Sequence, residues 1–169
     1  LDGLIELILL QADVLELKEI DRPVAADDDV LVRVHAASLA AGDYFGMRGE
    51  PFPIRMVIGF PKPKKDYVVG ADLAGRVETV GKNVTRFKAG DEVFGECSRA
   101  CAEYTCADEG KLALKPRNLT FEQAATLPQA GLLALQGLRH GRPVEPGDSV
   151  LINGAGGGAG TFAVQIAKS

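Results

Sequence analysis

The feature that most constrains this sequence is a cluster of small residues near its C-terminal end. The cluster consists of Gly154, Ala155, Gly156, Gly157, Gly158, Ala159 and Gly160. It lies between the short apolar segment Ser149–Asn153, which is predicted to be a strand, and the helical pattern Thr161–Lys168. Glycines in this context permit a tight turn and let a pyrophosphate approach backbone N–H groups at the positive end of a helix. The cluster therefore predicts a dinucleotide-binding turn.

The register of this turn remains open from the sequence. Gly158, Gly160 and Ala163 fit a G-x-G-x-x-A pattern, but the upstream glycines permit other registers. A flexible linker is the competing interpretation, although linkers rarely lie between an apolar strand and an apolar helix. The residue that distinguishes NAD from NADP follows about 20 residues after such a loop, beyond Ser169. The sequence therefore does not choose between the two cofactors.

The residues before position 120 have the pattern of a mostly β domain. A turn is predicted at Asp27–Asp29, and closely spaced Gly and Pro residues after Gly42 predict a long loop region. Glycines within the strand patterns indicate bulges or close backbone approach, as in a small curled barrel. Apolar or alternating segments predict strands at Val14–Ile20, Val30–Ser38, Tyr67–Val80, Glu92–Phe94 and Ala102–Cys106.

After position 120 the hydrophobic period changes from about 2 to about 3.6. Thr120 and Gln123 form a T-x-x-Q capping-box pattern that opens a helical stretch, interrupted by Pro128 and closed by Gly141. We therefore predict a mostly β domain over residues 1–119. Residues 120–169 are predicted to contain connecting helices and the first βα unit of a doubly wound α/β domain.

Charge and composition exclude several classes of partner. The net charge is −4 and the pI is about 5.2, so the chain lacks the broad basic face that nucleic-acid binding requires. The apolar stretches Leu7–Leu10 and Ala130–Leu135 are too short to span a membrane. Three cysteines and acidic first residues favour the cytoplasm. Because the chain begins at Leu1 and the expected α/β domain is incomplete, we expect an N-terminal fragment of a longer protein.

Several segments, in their order along the chain, resemble the medium-chain dehydrogenase/reductase superfamily, and most closely its zinc-independent quinone oxidoreductase-like branch. They are Val30–Ser38, Gly70–Val80, Gly90–Gly95, Leu127–Gly131 and Val150–Gly160. The resemblance implies a GroES-like domain followed by a Rossmann domain, with NADPH and the substrate bound between them; NADH is not excluded. It also implies hydride transfer to a quinone or to an enone or enal, and it leaves a homo-oligomer open for the full-length protein.

The zinc-dependent members of this superfamily differ from the chain at their metal sites. They carry a Cys after the early strand and a G-H-E motif, where this sequence has Ser38–Ala41 and Gly70–Asp72. The spacing of Cys97, Cys101 and Cys106 does not fit the structural zinc lobe, and these thiols are expected to be small buried apolar residues. We predict no metal site.

The resemblance implies few catalytic side chains, because the cofactor carries most of the chemistry. Tyr44, with Asp43 and Arg48 in a motif that the family shares, is the candidate to bind the substrate oxygen; the alternative is a packed aromatic residue. His35 and His140 have no nucleophile motif nearby and are expected to be structural.

Two further residues depart from the family pattern. Ala40–Ala41 stands where relatives carry Asn-Pro, and Leu133 stands where they carry a Thr near the nicotinamide. Two other functions therefore stay open beside a zinc-free reductase. One is a non-catalytic GroES-like module that associates through the edge at Ser149–Asn153. The other is a relative of zinc-dependent alcohol dehydrogenases.

Overall fold

The structure, a computed structural model, describes residues 17–48, 52, 53, 56, 68–141 and 143–169. Five strands of this part of the chain form one antiparallel sheet with the order β4-β1-β2-β3-β5. The strands are β1 (Asp29–Ser38), β2 (Asp72–Val80), β3 (Glu92–Glu96), β4 (Tyr104–Asp108) and β5 (Leu112–Leu114).

One face of the sheet carries the main hydrophobic core. Val30, Val32, Leu73 and Val93 have fully buried side chains, and Phe87 packs beside them from the loop before β3. Because side chains alternate along a strand, the next residues of β2 and β3 point to the opposite face. That second face is covered by helices, so both faces of the sheet contribute to packing.

Four helices surround or follow the sheet. They are α1 (Ala41–Arg48), α2 (Phe121–Ala125), α3 (Pro128–Arg139) and α4 (Gly158–Lys168). The predicted capping box is confirmed, because the Gln123 N–H donates to the Thr120 hydroxyl and the Gln123 side chain accepts from the Thr120 N–H. Pro128 begins α3 at its first turn, where a missing N–H has no cost.

Helix α2 packs on the second face of the sheet. Its buried residues Ala124 and Ala125 contact Ala74 of β2, and Phe121 stacks on His35 of β1 with ring centroids 4.4 Å apart. His35 therefore packs against α2, and its structural role stays a prediction. None of the helices in the described ranges is both long and apolar enough to cross a membrane.

Three predicted elements differ from the structure in its described ranges. Residues 17–20 form no strand, and the rest of the predicted Val14–Ile20 strand lies outside the described residues. The loop predicted after Gly42 begins as helix α1, because the Asp43 carboxylate accepts the Ala40 and Gly70 N–H groups and so fixes the helix start. Ser149–Asn153 forms no strand in the described part of the chain, because no described strand pairs with it, and Asn153 already lies in a turn.

Other boundaries shift by a few residues. The strand predicted at Ala102–Cys106 is β4, and the strand predicted from Tyr67 begins at Asp72, with Tyr67 itself outside the described residues. Strand β5 was not predicted, since three residues are too short to show a period. Close backbone approach is confirmed at Gly75, where a Cβ atom would lie 2.2 Å from the Arg33 carbonyl oxygen.

Candidate functional site

Three polar residues lie in a row across one end of the sheet. Ser38 of β1 pairs with Asp72 of β2, and Asp72 pairs with Glu96 of β3. Side chains of paired residues point to the same face, and Asp72 and Glu96 share the face of Ala74 and Phe94, which the helices cover. The row therefore lies beneath the helical layer and not in the main core.

Asp72 is the most perturbed carboxyl group of the row. Only 3% of this residue is exposed, and burial raises its pKa to about 6 from an ordinary value of 3.8. The Gln129 N–H and the Ser38 hydroxyl act in the opposite direction, while Glu96 and Asp43 raise the pKa further. Oδ2 accepts from Gln129 at 3.3 Å, but the buried Oδ1 has no partner in the described part of the chain.

Tyr44 lies on helix α1 and not in a loop as predicted, one residue after the buried Asp43. Arg48, one turn later, donates from Nη1 to the Tyr44 hydroxyl oxygen at 2.5 Å, and its guanidinium carbon lies 5.4 Å from the ring centroid. Phe45 contacts the Tyr44 ring edge-on. Because Arg48 occupies a lone pair of the phenol, the Tyr44 proton is available to an acceptor elsewhere.

The glycine cluster forms a turn that leads directly into α4. Gly154 has a φ of +77°, and its carbonyl accepts the Gly157 N–H at 3.0 Å. Gly157 is the N-cap of α4, so Gly158, Ala159 and Gly160 belong to the helix and not to the turn. A Cβ atom at Gly160 would lie 2.1 Å from the Gly154 carbonyl oxygen, whereas one at Gly156 would meet nothing within 4 Å. The positions that demand glycine are therefore 154 and 160.

The first turn of α3 connects the polar row to this glycine turn. The Gln129 N–H binds Asp72, and a Cβ atom at Gly158 would lie 3.9 Å from the Cβ atom of the next residue, Ala130. One turn further, Leu133 is 60% exposed. The structure thus brings together two features that are about 80 residues apart in sequence.

Cys97 and Cys101 lie near the polar row, whereas Cys106 lies on β4 opposite Leu31 of β1. Cys97 follows Glu96, and burial raises the pKa of its thiol to about 11. Burial also raises the pKa values of Cys101 and Cys106, although Cys101 is exposed at the surface, contrary to the prediction that it is buried. In the described ranges, no group of three or more His, Cys, Asp or Glu residues could hold a metal ion.

Sequence reasoning missed Ser38, Asp72 and Glu96 as site residues. The available signal was the Gly70–Asp72 segment, since it stands where zinc-dependent members of the superfamily carry G-H-E. That signal was used only to argue against a metal ion. The predicted residues Tyr44 and Gly154–Gly160 have now been placed, but their roles stay predictions.

Comparisons with known proteins identify the family. The family model described as "Alcohol dehydrogenase GroES-like domain" matches residues 26–137. The chain belongs to the medium-chain dehydrogenase/reductase superfamily. Its similarity to quinone oxidoreductases places it in the quinone oxidoreductase-like branch, and the predicted GroES-like fold class is confirmed.

Three similar proteins show in more detail what the chain resembles. The chain is 36% identical over 166 residues to quinone oxidoreductase of Sus scrofa, covering 97% of this chain and 46% of the relative. It is 37% identical over 167 residues to the NADPH-dependent alkenal/one oxidoreductase, chloroplastic, of Arabidopsis thaliana, covering 92% and 41%. The solved quinone oxidoreductase of Coxiella burnetii is 36% identical with a TM-score of 0.80, covering 92% and 49%. The chain thus spans about half the length of these medium-chain relatives.

Proposed function

We propose that the protein of this chain is a reductase that transfers hydride from NADPH to a quinone or to an α,β-unsaturated carbonyl, without zinc. The observation that carries the proposal is the glycine turn held beside the polar row by the first turn of α3. In this arrangement the turn would bind the cofactor, and the groups at the end of the sheet would bind a substrate oxygen. We assign the GroES-like domain to residues 1–119 and the cofactor-domain start to residues 120–169.

The relatives support the substrate and cofactor classes. The Sus scrofa relative is a quinone oxidoreductase, and the Arabidopsis thaliana relative is an NADPH-dependent alkenal/one oxidoreductase. Both names describe oxidoreductases of carbonyl compounds. NADH stays an alternative to NADPH, and a cytoplasmic location stays a prediction.

The glycine turn fits a dinucleotide. Gly154 adopts a left-handed conformation, and Gly160 leaves no room for a Cβ atom against the Gly154 carbonyl, so these two glycines keep the turn tight. At Gly156 nothing lies within 4 Å of a Cβ position, and a pyrophosphate would approach the backbone there. The first N–H groups of α4 have no partner within the helix and carry its positive dipole. These N–H groups would bind the phosphates and orient the cofactor, which supplies the hydride when bound.

The substrate would bind beside helix α1, which follows the Ser38 end of strand β1. Tyr44, with its hydroxyl oxygen engaged by Arg48, would donate its proton to a substrate carbonyl oxygen. Such a donor stabilises the negative charge that develops on that oxygen as the hydride arrives.

The test is a calorimetric titration of NADPH and NADH into the purified 169-residue chain. We expect saturable binding that Gly160→Val abolishes, because the new side chain would collide with the Gly154 carbonyl. Gly137→Ala in α3 is the matched control and should bind normally, since Gly137 lies outside the glycine cluster and its Cβ atom would meet nothing within 4 Å. Failure of the wild-type chain to bind either nucleotide would contradict a cofactor role for this turn.

Activity is tested separately, by NADPH oxidation with a quinone and with an enal, in the chain and in a version extended to the length of its relatives. Tyr44→Phe should lower turnover, because the donor to the carbonyl oxygen is lost. No oxidation with any such substrate would contradict the reductase function while leaving the fold intact. Stoichiometric zinc in the purified protein would instead favour the alternative of a zinc-dependent alcohol dehydrogenase relative.

Association with another protein is the second candidate function. Leu151 is 96% exposed, and α4 buries none of its residues in the described part of the chain. Size-exclusion chromatography distinguishes the two functions, because a stable monomer contradicts association through this surface.

A further inference from the structure

Ser38 and Asp72 are paired across β1 and β2, and solvent reaches the Ser38 side chain but not the Asp72 side chain. Ser38 is partly exposed, whereas 3% of Asp72 is exposed. The Ser38 hydroxyl donates to Asp72 Oδ2 at 3.5 Å, and the same oxygen accepts from the α3 backbone at Gln129. The second oxygen, Oδ1, has no hydrogen-bond partner in the described ranges. A buried carboxyl oxygen without a partner calls for a functional explanation.

The protonation state of Asp72 determines what Ser38 can offer to a ligand. An ionised carboxylate only accepts hydrogen bonds, so the Ser38 proton must point toward Asp72 and only its lone pairs face outward. A protonated carboxyl group has an O–H donor, which can bond to Ser38 Oγ instead. The Ser38 proton is then free to bind an acceptor outside.

We propose that Asp72 is a positioning residue that controls the direction of the Ser38 hydrogen bond, so that Ser38 binds a carbonyl oxygen when Asp72 carries its proton. The choice of a carbonyl ligand rests on the proposed reductase function. The hydrogen-bond geometry does not depend on that function, because it involves residues of this chain alone.

The groups around Asp72 leave both the ionised and the protonated form of its carboxyl group accessible. Glu96 of β3 and Asp43 of α1 face it with negative charge, and the Cys97 thiol adjoins it, whereas no cation of the described residues is among the groups that shift its pKa. The opposing contributions come from the Gln129 N–H of α3 and from Ser38 of β1. With burial as the largest effect, the Asp72 pKa is about 6, so the proton is gained and lost near neutral pH.

The test uses the isotope-labelled 169-residue chain without cofactor, with cyclohexenone as the carbonyl probe and cyclohexenol as the matched alcohol. Binding is followed by NMR through the backbone amide signals of Ser38 and Gln129. For the wild-type chain we expect the dissociation constant of cyclohexenone to be about tenfold or more larger at about pH 8 than at about pH 5.5. Cyclohexenol can donate to Ser38 and should not weaken in the same way.

Two variants test whether the pH dependence of cyclohexenone affinity comes from Ser38 and Asp72. Asp72→Asn keeps an oxygen that accepts the Gln129 N–H and adds an amide donor toward Ser38 Oγ. It should bind cyclohexenone as tightly at both pH values as the wild-type chain does at the lower one. Ser38→Ala removes the group that touches the ligand and should abolish the pH effect.

The proposal is overturned if wild-type affinity for cyclohexenone is the same at both pH values or absent at both. It is also overturned if Asp72→Asn retains the wild-type pH dependence, since another group then titrates. These measurements contain no nucleotide. A failure of NADPH binding or oxidation therefore counts against the proposed function alone, and a failure here counts against the Ser38–Asp72 pair alone.

Discussion

The sheet and the C-terminal helices differ sharply in how their apolar residues are used. In the sheet, Val32, Leu73 and Val93 are fully buried in a continuous core. In the C-terminal region, α4 buries no residue, and Leu151 is 96% exposed. The sheet therefore supplies most of the burial that stabilises the described part of the chain.

This difference in burial indicates where substitutions will change the free energy of unfolding and where they will change ligand binding. The glycine turn lies in the region with little burial, whereas the residues of the polar row are held in the sheet by strand pairing. Asp72 lies at the boundary, because its carboxyl group joins β2 to the first turn of α3. Substitutions in the two regions should thus affect different measurements: unfolding for the sheet, and ligand binding for the glycine turn.

The largest expected difference in stability is between two leucines. Leu73→Ala should lower the free energy of unfolding by about 2–5 kcal/mol, since it leaves a cavity in the core. Leu151→Ala should change it by less than about 0.5 kcal/mol, because that side chain already contacts water. Urea unfolding followed by circular dichroism measures both. Equal losses would mean that the C-terminal region folds with the sheet as one packed unit.

Asp72 should make the sheet less stable as pH rises. Its folded pKa of about 6 exceeds its ordinary value of 3.8, so the folded state holds the proton more tightly than the unfolded state. Stability from this group is therefore fully present below about pH 4 and is lost as the pH rises to about 6.

Asp72→Asn removes this dependence and should stabilise the chain by about 3 kcal/mol at neutral pH, since the pKa shift from 3.8 to about 6 corresponds to roughly that free energy. The measurement is the free energy of unfolding of both proteins across the same pH range, taken as a difference curve. A flat difference curve would show that Asp72 titrates alike in both states.

The capping box of α2 should have an intermediate effect. Thr120→Ala removes the acceptor of the Gln123 N–H and should destabilise the chain by about 1 kcal/mol. Thr161→Ala in α4 is the control, because Thr161 bonds back to the Gly158 carbonyl and caps nothing. It should be neutral or slightly stabilising in thermal unfolding. A loss at Thr161 as large as at Thr120 would contradict the assigned cap.

Elements with strong local signals could be predicted from the sequence. The strand at Val30–Ser38 alternates valines with Arg33 and His35 along its middle, and the capping box at Thr120 is a local hydrogen-bond pattern. Helix α1 could not be predicted, because Gly42 and Gly46 oppose it and its start depends on Asp43 binding a distant N–H at Gly70. Local propensity was overridden there by tertiary hydrogen bonds.

In the candidate site, too, residues adjacent in sequence could be predicted and residues distant in sequence could not. The glycine cluster was visible because its residues adjoin one another, but the need for glycine at 160 depends on the Gly154 carbonyl that faces it. The row of Ser38, Asp72 and Glu96 depends on strand register, which pairs residues more than 20 positions apart. No spacing rule in the sequence contains that register.

The smallest expected effect concerns the exposed side of α3. Leu133→Thr, which installs the residue that the family pattern carries there, should change the free energy of unfolding by less than about 0.5 kcal/mol, since the side chain is 60% exposed. Ala134→Thr is the matched substitution on the buried side. With only 5% of Ala134 exposed, added atoms there should cost about 1–3 kcal/mol. A loss in thermal unfolding from Leu133→Thr as large as the loss from Ala134→Thr would mean that the α3 surface beside the glycine turn is covered in solution. The contrast between a packed sheet and an open helical region would then fail at α3.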